Sequence, residues 1–149
     1  MKEKERIDLM KMENQLGFSL YVASKELVRA YRPYLDEIGL TFTQYLVMTT
    51  LWEEKKMSVK ELGEKLFLDS GTLTPVLKVL EKKGLVTRKR SFLDERVLDL
   101  ELTPDGEKLR QETFFIPAQV TSHVKLTLSD ALQLGKLLDK IISGLSSQN

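Results

Sequence analysis

The sequence predicts a mainly α (α+β) fold, a winged helix-turn-helix whose N- and C-terminal helices form a dimerisation region. Three observations carry this. Val59 to Leu102 runs as two short helices, a glycine stop, a basic strand, a charged loop and an alternating strand. Long amphipathic patterns precede and follow that stretch. Charge is also segregated: Lys55 to Arg96 holds eleven Lys/Arg against six Asp/Glu, a net of +5, and the remainder holds twelve against sixteen, a net of −4.

The first helix is predicted from Met12 or earlier. Leu16, Leu20, Ala23, Leu27, Tyr31, Tyr34 and Leu35 recur at helical spacing. Pro33 can kink it and Gly39 ends it. Thr41 or Thr43 caps a second helix through Tyr45, Leu46, Met48 and Leu51, ending near Trp52-Glu53-Glu54. Met57-Ser58 is a short strand, and Ser58 caps a helix whose stripe is Val59, Leu62, Leu66 and Phe67. The next helix buries Leu73, Val76, Leu77 and Leu80. Proline is tolerated in a first turn, so Pro75 puts the start at Thr72 or just before. Lys82-Lys83 suit the helix C-terminus and Gly84 a left-handed stop.

Leu85 to Arg90 reads as a strand. Leu98, Leu100 and Leu102 alternate with Asp99 and Glu101 as a half-buried one. Thr103-Pro104-Asp105 starts a helix as N-cap, N1 and first-turn acid, and Pro117 interrupts it. Ser129-Asp130 opens the last helix, with Leu134, Leu137, Leu138, Ile141, Ile142 and Leu145 on one stripe. Residues 1–149 are taken as a single domain, with the winged helix-turn-helix lobe at about 40–102 and dimerisation helices at about 7–38 and 103–149.

With 42% apolar residues the chain suits a soluble domain. No run nears the roughly 18 apolar residues of a membrane span. Met1 to Arg6 is charged with no apolar region behind it, so a cytoplasmic protein is expected. There is no cysteine, which removes disulfides and thiolate chemistry. The one histidine, His123, stands apart from any acid–nucleophile cluster. No phosphate loop or HExxH motif is present. Neither an enzyme nor a cofactor or metal site is expected.

The exposed chemistry of the central stretch suits double-stranded DNA. Opposite the apolar stripe of the helix at Ser70–Lys83 lie Ser70, Thr72, Thr74, Lys78 and Lys82. Gly71 allows close backbone approach, and a helix start favours phosphate. Hydroxyls reach base edges, and the Thr74 methyl or Pro75 can touch a thymine methyl. Ser58 and Lys60 on the preceding helix and Arg88, Lys89 and Arg90 on the hairpin add phosphate-seeking groups. Arg96 is expected to enter an A·T-rich minor groove, with Asp94 orienting its guanidinium. A winged helix serving protein–protein contact is the competing reading, and the basic hairpin argues against it.

Several runs resemble the MarR (multiple antibiotic resistance regulator) family. They are Gly84-Leu85-Val86-Thr87-Arg88-Lys89-Arg90-Ser91, the D-x-R of Asp94-Glu95-Arg96, and the L-T-x-x-G of Leu102 to Gly106. Leu68-Asp69-Ser70-Gly71-Thr72-Leu73-Thr74-Pro75 is narrower and resembles the organic hydroperoxide resistance regulator branch. Glu13-Asn14-Gln15-Leu16 and Thr43-Gln44-Tyr45-Leu46 extend the likeness to nearly the whole chain. The resemblance implies a homodimer on a pseudo-palindromic operator, with recognition helices in successive major grooves and wings in flanking minor grooves. Repression is the usual outcome.

In that branch a sensing cysteine follows E-N-Q-L, and here the position is Gly17. Peroxide sensing through a thiolate is therefore absent. In mid-helix such a glycine costs roughly 1 kcal/mol against alanine. The tyrosines that bond the family's sulfur map to Tyr21 and Tyr31. Tyr31 lies roughly 21 Å along the helix from Gly17 at 1.5 Å per residue, so only a partner chain's Tyr31 reaches it. Gly17, Tyr21 and Tyr31 are the candidate pocket for a small-molecule effector; the same tyrosines also suit a plain apolar core.

Overall fold

The computed structural model describes residues 8–147. The charged start at Met1 to Arg6, and Ile7, Gln148 and Asn149 at the ends of the expected dimerisation helices, lie outside the described residues. The chain divides after Ile116 into two compact units.

In the first unit the leading helix does not run through from Met12. Met12–Asn14 forms a 3-10 turn, Gln15 is extended (φ −86°, ψ 125°), and α1 spans Leu16–Glu37. Two amide side chains cause the break. Asn14 Nδ2 donates to the Asp8 carbonyl at 2.7 Å and Gln15 Nε2 to the Met10 carbonyl at 3.2 Å. Such local bonds offer the backbone an alternative to the helix. Gly17 is therefore the second residue of α1 and not a mid-helix residue. Pro33 lies inside α1, which runs one turn past it, and Gly39 takes the left-handed stop at φ 66°.

The helix α2 (Phe42–Glu54) opens on a reciprocal cap, Thr41 Oγ1 accepting from Gln44 N–H and Gln44 Oε1 from Thr41 N–H. It buries Tyr45, Val47, Met48, Leu51 and Trp52 and is the centre of this unit. Strand β1 (Lys56–Ser58) leads into α3 (Val59–Leu66), where Ser58 and Glu61 form a second reciprocal cap. Phe67 was expected on the α3 stripe. It is instead the left-handed C-cap residue (φ 54°), and that turn swings its ring out to 71% exposure.

The helix α4 (Ser70–Lys82) starts at Ser70, just before Thr72. The Asp69 carboxylate accepts from Thr72 N–H at 2.7 Å and so caps the helix there. Pro75 falls at the sixth position, beyond the first turn, where its missing N–H leaves the Gly71 carbonyl without its usual donor. Leu73, Leu77 and Leu80 are buried, whereas Val76 is only half-buried. Gly84 ends the segment at φ 72°.

Strands β2 (Val86–Arg90) and β3 (Leu98–Leu102) form the wing. The sheet is antiparallel in the order β1-β3-β2, with Met57 and Arg88 both opposite Leu100. Leu100 is buried, but Leu98 sits toward the wing tip beyond the core and is 41% exposed. Then α5 (Pro104–Thr113) follows with Thr103 as its cap. Trp52 Nε1 donates to the Gly106 carbonyl at 2.8 Å, which locks α5 onto α2.

The last two helices are α6 (Ile116–His123) and α7 (Leu128–Ser146). Pro117 is second in α6, where no intrahelical N–H is needed. The cap of α7 is Thr127 with Asp130 in a reciprocal box, and not Ser129. Its stripe residues Leu134, Leu137, Ile142 and Leu145 are 44–63% exposed. No described helix is long and apolar enough to cross a membrane.

Candidate nucleic-acid interface

The first turns of α4 present small polar groups because Asp69, one residue before the helix, satisfies its own share of the orphan amides. Ser70, Gly71, Thr72, Pro75 and Lys78 are all exposed, and Thr74 is half-buried beside the leucine stripe. Gly63 lets the turn into α4 close tightly: a Cβ there would lie 2.9 Å from the Leu68 carbonyl oxygen. That carbonyl sits one residue before the Asp69 cap, so the glycine controls where α4 is aimed.

A cleft of about 520 Å³ lies where α3, α4 and the wing-tip end of β3 converge. Ser58, Lys60, Ser70 and Arg96 contribute its polar rim, over a floor that includes Val59, Leu73 and Val97. Four of the sequence-predicted residues thus meet at one place. The Ser58 hydroxyl is already engaged with Glu61, accepting from its N–H at 3.1 Å and lying 2.8 Å from its carboxylate. The Ser58 backbone N–H, donating to that carboxylate at 2.7 Å, and then the hydroxyl hold the Glu61 carboxyl below its ordinary pKa. Lys60 makes only a loose 3.9 Å pair with Glu64 on an exposed surface.

The three consecutive wing cations do not act as one patch. Side chains alternate along a strand, so Lys89 stands on the opposite face from Arg88 and Arg90. Arg88 faces inward opposite Leu100 and is held by Glu81 of α4, with Nε at 3.0 Å and Nη2 at 2.7 Å from Oε2. Only 23% of its side chain is exposed. The guanidinium in turn holds the Glu81 carboxyl below its ordinary pKa. Arg90 Nη1 donates to the Glu95 carbonyl at 2.7 Å and braces the wing tip. Lys89 is exposed and opposite Asp99, whose carboxylate pairs with Lys56 at 3.2 Å.

Asp94 does not orient the Arg96 guanidinium as expected. Its Oδ1 accepts from the Arg96 backbone N–H at 2.9 Å, a local turn that a short carboxylate makes more readily than a reach along the arginine side chain. Among the described residues no carboxylate lies within 4.0 Å of the Arg96 guanidinium. Arg96 is therefore an exposed cation with its charge available.

Sequence reasoning missed Glu81, whose spacing from Arg88 gives no local cue. It also passed over Phe92 and Leu93, which stand at the wing tip almost completely exposed. Two consecutive large apolar residues inside a charged loop were the available signal.

The three candidate pocket residues are not gathered within one chain. Beyond its chain neighbours and its own helix backbone, no described atom of the chain lies within 4 Å of where a Cβ on Gly17 would sit. Tyr21 is exposed, with Lys25 Nζ 5.1 Å from its ring centre. Tyr31 packs on Phe42 (5.0 Å between ring centres) and Tyr45 (5.8 Å) in the α1–α2 contact, and burial raises its hydroxyl pKa.

Residues 29–113 match the family model described as transcriptional regulator SarA/Rot. The chain is 43% identical to the organic hydroperoxide resistance transcriptional regulator of Bacillus subtilis (strain 168), over 98% of this chain and 99% of that protein. It is similar to reduced AbfR bound to DNA, with TM-score 0.82 and 32% identity, covering 99% of both chains. It is also similar to a mutant MarR from E. coli complexed with operator DNA, with TM-score 0.74 and 27% identity, covering 85% of this chain and 92% of that one.

Proposed function

The chain belongs to the SarA/Rot family of MarR-type transcriptional regulators, in the organic hydroperoxide resistance branch, and from that premise we propose that it is a sequence-specific DNA-binding repressor acting as a homodimer. The observation that carries the reading is the exposed Ser70–Lys78 face of α4 beside a wing whose Arg96 is unpaired among the described residues. AbfR and MarR, which share this fold, are bound to DNA in their solved structures. In the proposed complex Ser70, Gly71, Thr72, Thr74, Pro75 and Lys78 face the major groove, and Ser58, Lys60, Lys89 and Arg90 face phosphates. Asp94 holds the wing tip, Arg96 enters the minor groove, and Arg88 positions the wing through Glu81. Residues at about 40–102 form the DNA-binding lobe.

Dimerisation uses helices within about 7–38 and 103–149. The exposed apolar residues of α1 (Leu16, Val22, Leu27, Val28) and of α7 need covering, and a second copy of the chain supplies that surface. Two-fold symmetry would set the recognition helices about 34 Å apart, one turn of B-DNA. We place it in the cytoplasm, with the DNA it is proposed to read.

Gly17 removes the thiolate route to peroxide sensing. A small-molecule site made by Gly17, Tyr21 and a partner chain's Tyr31 is the proposed signal route in its place. Fluorescence anisotropy with duplex DNA from the protein's own upstream region, at two salt concentrations and with or without an organic hydroperoxide, tests the reading. Tight binding that weakens steeply with salt and ignores peroxide is expected. Salt-insensitive binding, or none at low salt, would sink it.

A further inference from the structure

The wing tip carries a feature that charge alone does not use. Phe92 is 101% and Leu93 94% exposed, neighbours at the end of a hairpin. The loop beneath them is well tied. Ser91 N–H donates to the Val97 carbonyl at 2.8 Å and Val97 N–H to the Asp94 carbonyl at 2.9 Å. Leu93 N–H donates to Ser91 Oγ, Arg96 N–H to Asp94 Oδ1, and Arg90 Nη1 to the Glu95 carbonyl. The two apolar side chains are therefore presented on a preorganised loop.

We propose that Phe92 and Leu93 form an apolar wedge that enters the DNA minor groove beside Arg96 and unstacks a base step there. This rests on the DNA-binding reading above. Minor-groove proteins insert Phe and Leu between base steps and kink the duplex. One or two side chains suffice for that, whereas a stable protein interface needs about 800 Å² from each partner. Two residues at a hairpin tip offer far less. Arg90 and Arg96 flank the pair and offset Asp94 and Glu95 in the same loop, and the Arg96 guanidinium, unpaired among the described residues, draws the tip to a polyanion. The wedge makes the wing a reader of deformability. Steps that unstack easily, TA and CA/TG, are selected at positions where no hydrogen bond is made.

The test uses the full-length protein and a duplex that it has selected from a random-sequence pool. 2-Aminopurine is placed in turn at adenines flanking the major-groove contacts. The wild-type protein should raise fluorescence at one flanking step on each side. The double variant Phe92→Ser, Leu93→Ser should abolish that signal and bind about tenfold more weakly. Its salt slope should be unchanged, because no cation is removed. Exchanging the pair (Phe92→Leu, Leu93→Phe) should keep the signal. A serine variant with wild-type affinity on a duplex that never unstacks overturns the wedge and leaves the DNA-binding reading standing. Absence of any complex at low salt overturns both. Assembly beyond a dimer that the serine variant reverses would give the tip to chain–chain contact and also overturn the wedge.

Discussion

The Arg88 guanidinium closes on one carboxylate oxygen of Glu81, with Nε at 3.0 Å and Nη2 at 2.7 Å. This couples the edge strand of the wing to α4, so the two elements proposed to face DNA keep one relative orientation. Glu81→Gln and Arg88→Met should each weaken DNA binding although neither residue needs to touch DNA. The double variant should be no worse than the poorer single one, since both remove the same contact. Anisotropy titrations of the four proteins check this, and additive losses would mean Arg88 contacts DNA independently.

Arg96→Ala should cost about 1–3 kcal/mol in DNA affinity and reduce the salt slope by about one, with thermal unfolding unchanged. Asp94→Ala acts differently. It removes the acceptor for the Arg96 N–H at 2.9 Å, so it should loosen the tip and weaken binding without lowering the salt slope. Equal salt slopes for Arg96→Ala and the parent protein would remove the wing cation from the mechanism.

Gly106→Ala should be severely destabilising. A Cβ there would collide with the Leu85 carbonyl oxygen and carbon, both backbone atoms that cannot rotate away. The same residue's carbonyl accepts the buried Trp52 Nε1–H. Overpacking of this kind costs about 1–3 kcal/mol or more, and urea denaturation measures it. A loss within 0.5 kcal/mol, the usual range for neutral surface changes, would show that α5 can shift freely.

Gly17→Cys should fold normally, since no described atom beyond its chain neighbours and its own helix backbone lies within 4 Å of where the Cβ would sit. At the second residue of α1 the new thiol sits in the positive field of a helix start, so its pKa should fall below the free value of about 8.5. Organic hydroperoxide should then release this variant from DNA and leave the parent bound. Oxidation of Cys without release would show that the chain has lost the coupling as well as the sulfur.

Four carboxylates are held below their ordinary pKa by bonds made only on folding. Ser58 bonds Glu61, Thr72 bonds Asp69, Arg88 bonds Glu81 and Thr127 bonds Asp130. A depressed folded pKa contributes stability above the unfolded value and loses it as pH falls through the folded one. The urea midpoint should therefore stay level from pH 7 to about 5 and drop below about pH 4. Glu61→Gln and Asp69→Asn should flatten the drop; an equally steep decline would place the acid sensitivity elsewhere.

Local chemistry made most of the architecture legible in the chain. Reciprocal caps at Thr41 and Ser58, the left-handed stops at Gly39 and Gly84, the Thr103-Pro104 start and the alternating β3 strand need only neighbours in sequence. The L-D-S-G-T-L-T-P and D-x-R runs placed the family for the same reason, and the loss of the sensing thiol was a matter of residue identity at position 17. Tertiary structure decided what no local pattern encodes. Strand alternation and the seven-residue reach to Glu81 turned Arg88 inward, leaving Lys89 and Arg96 exposed. Packing of Leu85 against α5 left no room for a side chain at Gly106. Charge and hydropathy are properties of residues, whereas the partner a side chain meets depends on how distant segments of the chain pack together.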